Sequence, residues 1–146
     1  MAKITMNNKE MTLEAVASEL VRLRAETSDF RYFGLRVDSR LLDEGDELGN
    51  SHQWWQEWDD EECYNAKVGM YDGGELDGTC SIGIEDVWMD DVNEVLPALS
   101  AALEHIKDYK SLGSHIYLIG GYSTEGGNDP HEWVISGAAV VGKVEL

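Results

Sequence analysis

Basic side chains are scarce in this sequence. Eleven lysines and arginines stand against twenty-nine aspartates and glutamates, giving a net charge of −18 and a pI near 4.3. Such a surface repels nucleic acid and anionic membrane, and it attracts cationic proteins with fast encounter and a strong dependence on salt. Cysteine is nearly absent too. Cys63 and Cys80 lie outside any CxxC spacing, and the four histidines are scattered. Both thiols are therefore expected to be reduced, and no metal site is expected. No run approaches the roughly eighteen uninterrupted apolar residues of a membrane span, and the opening residues lack the apolar core and cleavage site of a signal peptide. The default expectation is a cytoplasmic protein. At 146 residues the chain is expected to be a single domain, 1–146, long enough to bury about 70% of its extended surface without a metal or disulfide.

What the chain does have is concentrated. Between Asp43 and Glu94 lie seventeen of the twenty-nine acids and one base, Lys67, a local charge of −16. The same stretch holds four of the five tryptophans: Trp54, Trp55, Trp58 and Trp88. Solubility would be served equally well by dispersed acids, so the clustering points to a contact surface.

The remainder reads as alternating short elements. Lys3 to Thr12 is expected to be a hairpin turning through Asn7-Asn8, since asparagine tolerates the positive φ of tight turns. Thr12 can cap a helix whose apolar residues Leu13, Val16, Leu20 and Leu23 recur at helical spacing. Phe30 to Val37 suits a strand, with Arg36 expected to be a buried or paired residue on it. A long polar, acidic loop follows. Thr79 to Glu85 reads as another strand. Asp90-Asp91 then caps a helix with the stripe Val92, Val95, Leu96, Leu99, Leu103 and Ile106, in which Pro97 falls in the first turn or marks the start. His115 to Ile119 is a central strand, Gly120 to Pro130 a glycine-rich turn, and Glu132 to Val144 a last strand or strand pair. Strands without regular βαβ alternation predict an α+β fold: a mainly antiparallel sheet with two helices packed on it and a long acidic loop.

No secure catalytic signature emerges. Asp72 to Gly78 fails the EF-hand pattern, because Gly74 and Leu76 fall where oxygen ligands are needed. Gly120 to Gly127 lacks the Gly-Lys-Ser/Thr of a phosphate loop and leads into a strand. Cys80 and Ser81 have no sequential partner as a base. The Trp-acid run fits binding better. Trp54, Trp55 and Trp58 can act as anchors, while Asp59, Asp60, Glu61, Glu62, Asp72, Glu75 and Asp77 supply a negative field. Carboxylates would stand where phosphates stand, and indoles where stacked bases do.

Two resemblances follow. The order of Arg36 on an early strand, Gly78-Thr79-Cys80-Ser81 opening the next and Glu132 beginning a late one resembles the Arg, Ser/Thr and Glu motifs of ADP-ribosyltransferases. That resemblance covers roughly Tyr32 to Leu146. It implies NAD as cofactor, with Arg36 on the dinucleotide phosphates, Ser81 bracing the site and Glu132 on the nicotinamide ribose. Pro130 and Cys80 depart from the family's usual residues. In size and charge the chain is similar to acidic inhibitors encoded by phages and mobile elements, including anti-CRISPR proteins and other DNA mimics. This second resemblance implies a non-catalytic protein that blocks a basic, nucleic-acid-binding host protein, binding neither nucleic acid nor membrane directly. It is the leading expectation, and the NAD-dependent enzyme is the alternative.

Overall fold

The computed structural model describes residues 2–56, 66–67, 80–84, 91–107, 110, 113–126 and 132–146, with backbone alone for 50–56, 66–67, 80–84, 105, 124–126 and 132–134. Among these residues the expected α+β class is what the chain adopts: two helices and a mainly antiparallel sheet.

Strands β1 (Lys3–Met6) and β2 (Lys9–Met11) form the N-terminal hairpin. Its turn residues Asn7 and Asn8 have φ of 53° and 61°, the left-handed values that two-residue hairpin turns require. Helix α1 (Leu13–Glu26) begins where the Thr12 hydroxyl accepts the Ala15 N–H at 3.1 Å. Helix α2 (Val92–Ile106) begins where the Asp91 carboxylate accepts the Asn93 N–H at 2.9 Å. Pro97 is the sixth residue of α2, in its second turn rather than its first. The helix therefore starts well before the proline, and the Asn93 carbonyl gives up one helical bond.

The strands are β3 (Tyr32–Asp38), β4 (Glu47–Gln56), β5 (Ala66–Lys67), β6 (Cys80–Ile84), β7 (His115–Gly121), β8 (Ser123–Gly126) and β9 (Glu132–Glu145). The hydrogen-bonded order is β2-β1-β9-β7-β3-β6, with β4 and β8 also on β9 and β5 on β4. As expected, β7 is central, between β9 and β3. Strand β9 is the spine. Its C-terminal half lies between β1 and β7, and its N-terminal half between β4 and β8. It changes direction at Gly137, which has φ of 64°, and at a bulge opposite Leu118 and Ile119. Bulges of this kind increase local twist. Strands β4 and β5 also approach β6, although β9, β7 and β3 separate them in bonding order, so the sheet is curled.

Two stretches differ from the sequence expectation. Glu47–Gln56, expected within the acidic loop, is a strand on β9 with register shifts around Gly49. Ser123–Gly126, expected within a glycine-rich turn, is also paired with β9. In both cases a long partner strand supplies the ladder, and this tertiary pairing overrides weak local propensity. The part of the expected acidic loop at 57–65 lies outside the described residues.

The two faces of the sheet are covered differently. On one, Ile4, Met6, Phe33, Leu35, Val37, Ile116, Leu118 and Val144 meet Val16, Ala17 and Leu20 of α1 and Val95, Leu99, Leu103 and Ile106 of α2 in one core. On the other, Tyr117, Ile119 and Val140 are buried with Leu42 and Leu48 against them. The chain from 39 to 46 lies on this second face as a strap between β3 and β4.

Candidate interaction surface

The strap is held by polar ties from several directions. The Tyr117 hydroxyl donates to the Arg40 carbonyl at 2.7 Å and accepts the Leu42 N–H at 2.7 Å. One buried phenol therefore fixes the backbone on both sides of Leu41. The Glu44 carboxylate accepts the N–H groups of Asn7 and Asn8 at 2.6 and 3.2 Å, tying the strap to the hairpin turn. Gly45 N–H donates to the Val140 carbonyl, and Val140 N–H donates to the Asp46 carbonyl. Lys143 reaches Asp43 at 3.2 Å.

Beneath the strap is an ionic centre. Arg36 is buried, with 1% of its surface exposed, and its Nε donates to Asp38 Oδ2 at 3.1 Å. Arg40 donates to both Asp38 oxygens, at 3.0 and 2.7 Å, and its backbone N–H donates to Oδ1 at 2.9 Å. Burial alone would raise the Asp38 pKa. The hydrogen bonds from Arg40 and the charge of Arg36 outweigh it and hold the carboxyl below its ordinary value. Arg36, expected to be buried or paired, is both.

The strap opens the acidic stretch. Asp43, Asp46 and Glu47 are exposed and Glu44 is half-buried. From there the stretch continues through β4, β5 and β6 to the start of α2, where Asp91 and Glu94 are exposed. Strands β4, β5 and β6 come together along the curl of the sheet, and α2 lies against β6. Strands β4, β5 and β6 and helix α2 are therefore linked in space, while the strap acids lie on the other face of the sheet from α2. Several bases outside it have acidic partners of their own: Arg22 with Glu19 and Glu26, Lys107 with Glu104, and Arg40 with Asp38.

No protein family model matches this sequence, and neither a curated protein nor a solved structure matches it.

Of the residues singled out for partner binding, Trp54 and Trp55 lie on β4, with Trp54 opposite Glu132 and Trp55 opposite Lys67. Trp58, Asp59, Asp60, Glu61, Glu62, Asp72, Glu75 and Asp77 lie outside the described residues. Of the residues drawn from the transferase resemblance, Arg36 and Ser81 are register partners on β3 and β6. Glu132 is elsewhere: the row through Arg36 continues to Tyr117 and Lys143, eleven residues further along β9. Among the described residues, no group of three His, Cys, Asp or Glu could hold a metal, and no helix is long and apolar enough to cross a membrane. The strap and its ties were missed by sequence reasoning. The partners lie 37, 75 and 100 positions apart (Asn7–Glu44, Leu42–Tyr117, Asp43–Lys143), and no local pattern marks them.

Proposed function

We propose that this chain is a non-catalytic acidic binding protein of the cytoplasm, whose 43–94 stretch engages the basic surface of a nucleic-acid-binding protein as an inhibitor or nucleic-acid mimic. The observation that carries the reading is the gathering of that stretch. The stretch holds seventeen acids and one base in sequence, and the strands β4, β5 and β6 that lie within it meet at the curl of one sheet. Like charges brought together cost stability through mutual repulsion, and a cationic partner relieves that cost. Trp54, Trp55 and Trp58 act as apolar anchors within the field, with Asp59, Asp60, Glu61, Glu62, Asp72, Glu75 and Asp77 supplying charge. The likeness in size and charge to inhibitors of phages and mobile elements, anti-CRISPR proteins among them, agrees with this role.

The test is affinity capture from a bacterial lysate at low and high salt, with duplex DNA as competitor. Replacing Asp59, Asp60, Glu61 and Glu62 by Asn or Gln should reduce capture, and so should raised salt or added DNA. Retention indifferent to all three would overturn the proposal. The ADP-ribosyltransferase alternative is favoured only by the register of Ser81 with Arg36. Arg36 has almost no accessible surface with which to meet a dinucleotide. NAD turnover that Glu132→Gln abolishes, with the acidic cluster dispensable, would decide for that alternative.

A further inference from the structure

In one groove the charge balance of this chain is inverted. The groove lies between the strap, the start of β7 and the end of β9, and its volume of about 780 Å³ is within the range of small-molecule sites. The charged side chains lining it are Lys110, Lys143 and Glu145, with His115 beside them. Bases thus outnumber acids here, in a chain where twenty-nine acids stand against eleven bases. Glu145 stands opposite Lys3 in the ladder of β9 with β1, where opposite charges attract. Lys143 meets Asp43 at 3.2 Å, with the two side chains 41% and 85% exposed. A pair so exposed is weak and is exchanged at little cost. Lys110 is exposed, and among the described residues it has no acidic partner.

The groove also gathers apolar surface. Three large hydrophobic side chains are exposed among the described residues, and two of them, Leu41 at 76% and Leu146 at 39%, line it. Scattered singly, such residues mean nothing. Here they share one concavity with an unpaired ammonium. Leu41 is also held in place, because its flanking peptide groups, the Arg40 carbonyl and the Leu42 N–H, are both bonded to the buried Tyr117 hydroxyl. A wall fixed in this way loses little freedom when a ligand settles on it. Acids elsewhere on the surface do little against a charge at contact distance, since the Debye length at physiological ionic strength is about 8 Å.

We propose that this groove binds a small amphiphilic carboxylate. The carboxylate head meets the Lys110 ammonium, with Lys143 and His115 close by, and the hydrocarbon body lies on Leu41 and Leu146. One uncompensated cation selects a single negative charge, and the two leucines select a ligand with an apolar body. The site uses none of the residues assigned to the cationic partner, so it goes beyond the binding function proposed above and stands or falls without it.

The probe is sodium octanoate below its micelle-forming concentration, titrated into the full chain and followed by amide NMR shifts, with 1-octanol and acetate as controls. Octanoate should give saturable shifts at Leu41, His115 and Lys143. Octanol, which lacks the charge, should bind about fivefold more weakly, and acetate, which lacks the body, should give no saturable shift. Lys110→Glu turns the attraction into repulsion and should weaken octanoate binding about tenfold. Leu41→Ala should weaken it about fivefold through lost apolar contact. Both residues are exposed, so neither change should move the melting temperature. Octanol bound as tightly as octanoate, or wild-type affinity in Lys110→Glu, would overturn the carboxylate. Absence of saturable shifts at the groove amides would overturn the site.

Discussion

The two faces of the central sheet are closed by different physics. Under α1 and α2, buried aliphatic side chains from β1, β3, β7 and β9 meet two helical stripes, and the described core there is wholly apolar. Under the strap, two of the largest buried side chains are Arg36 and Tyr117, and the cover is fastened by hydrogen bonds and ion pairs to Asp38, Glu44 and Asp43. Burial of apolar area is additive and undirected. Polar ties need particular partners, and they cost most when one partner is missing. The helix face should therefore give way gradually as methyl groups are removed, and the strap face abruptly when one charged group is neutralised.

The sharpest break in that comparison is Asp38→Asn. It takes one carboxylate from the buried Arg36 and from Arg40, and breaking a buried ion pair costs about 3–5 kcal/mol. Urea denaturation should show a loss of this size. The counterpart on the helix face is Leu99→Ala, which has no exposed surface to begin with and should cost about 3 kcal/mol through lost transfer energy and a cavity. If Asp38→Asn proved milder than Leu99→Ala, the ionic centre would not be what holds the strap face.

The pH dependence separates the two changes even where their magnitudes coincide. Asp38 has a folded pKa below its ordinary value of 3.8. The unfolded chain thus takes up this proton first as pH falls. The stabilisation is complete above about pH 4 to 5 and is lost as pH drops toward the folded value. Glu19, lowered chiefly by its hydrogen bond from Arg22, adds in the same direction. Leu99→Ala should shift the whole stability curve down and keep its acid limb. In Asp38→Asn that limb should be shallower. Equal limbs in the two variants would assign the acid sensitivity elsewhere.

The two faces also differ in how much the sequence disclosed. The helical stripes were legible because Val16 and Leu20, and Val95, Leu99, Leu103 and Ile106, recur at a period that only a helix places on one side, and all are buried. The hairpin was legible because Asn7-Asn8 has few other uses. On the strap face, Arg36 was expected to be buried or paired, but Tyr117 gave no hint that its hydroxyl would bind a backbone 75 positions away. Strand β4 was hidden for a related reason. Glu47–Gln56 lacks the alternation of a half-buried strand, and its pairing is supplied by β9. For the proposed binding surface, composition showed that the acids cluster along the chain. Only the curl of the sheet shows that β4, β5 and β6, which lie within that stretch, are neighbours.

The smallest effects make the finest test of the comparison. Thr12→Ala removes a bond between residues three apart, and Glu44→Ala removes two bonds that span 36 and 37 positions. Each should cost about 1 kcal/mol, so global stability will not distinguish them. Amide hydrogen exchange will. Loss of the Thr12 cap should raise exchange only in the first turn of α1, because the helix stays pinned by its buried stripe. Loss of Glu44 should raise exchange at Asn7 and Asn8 and along the strap together, since one carboxylate joins the two. If Glu44→Ala left the strap amides as protected as before, the remaining ties at Tyr117 and Val140 would be sufficient to hold it. The strap face would then share the redundancy of the helix face rather than depend on single charged groups.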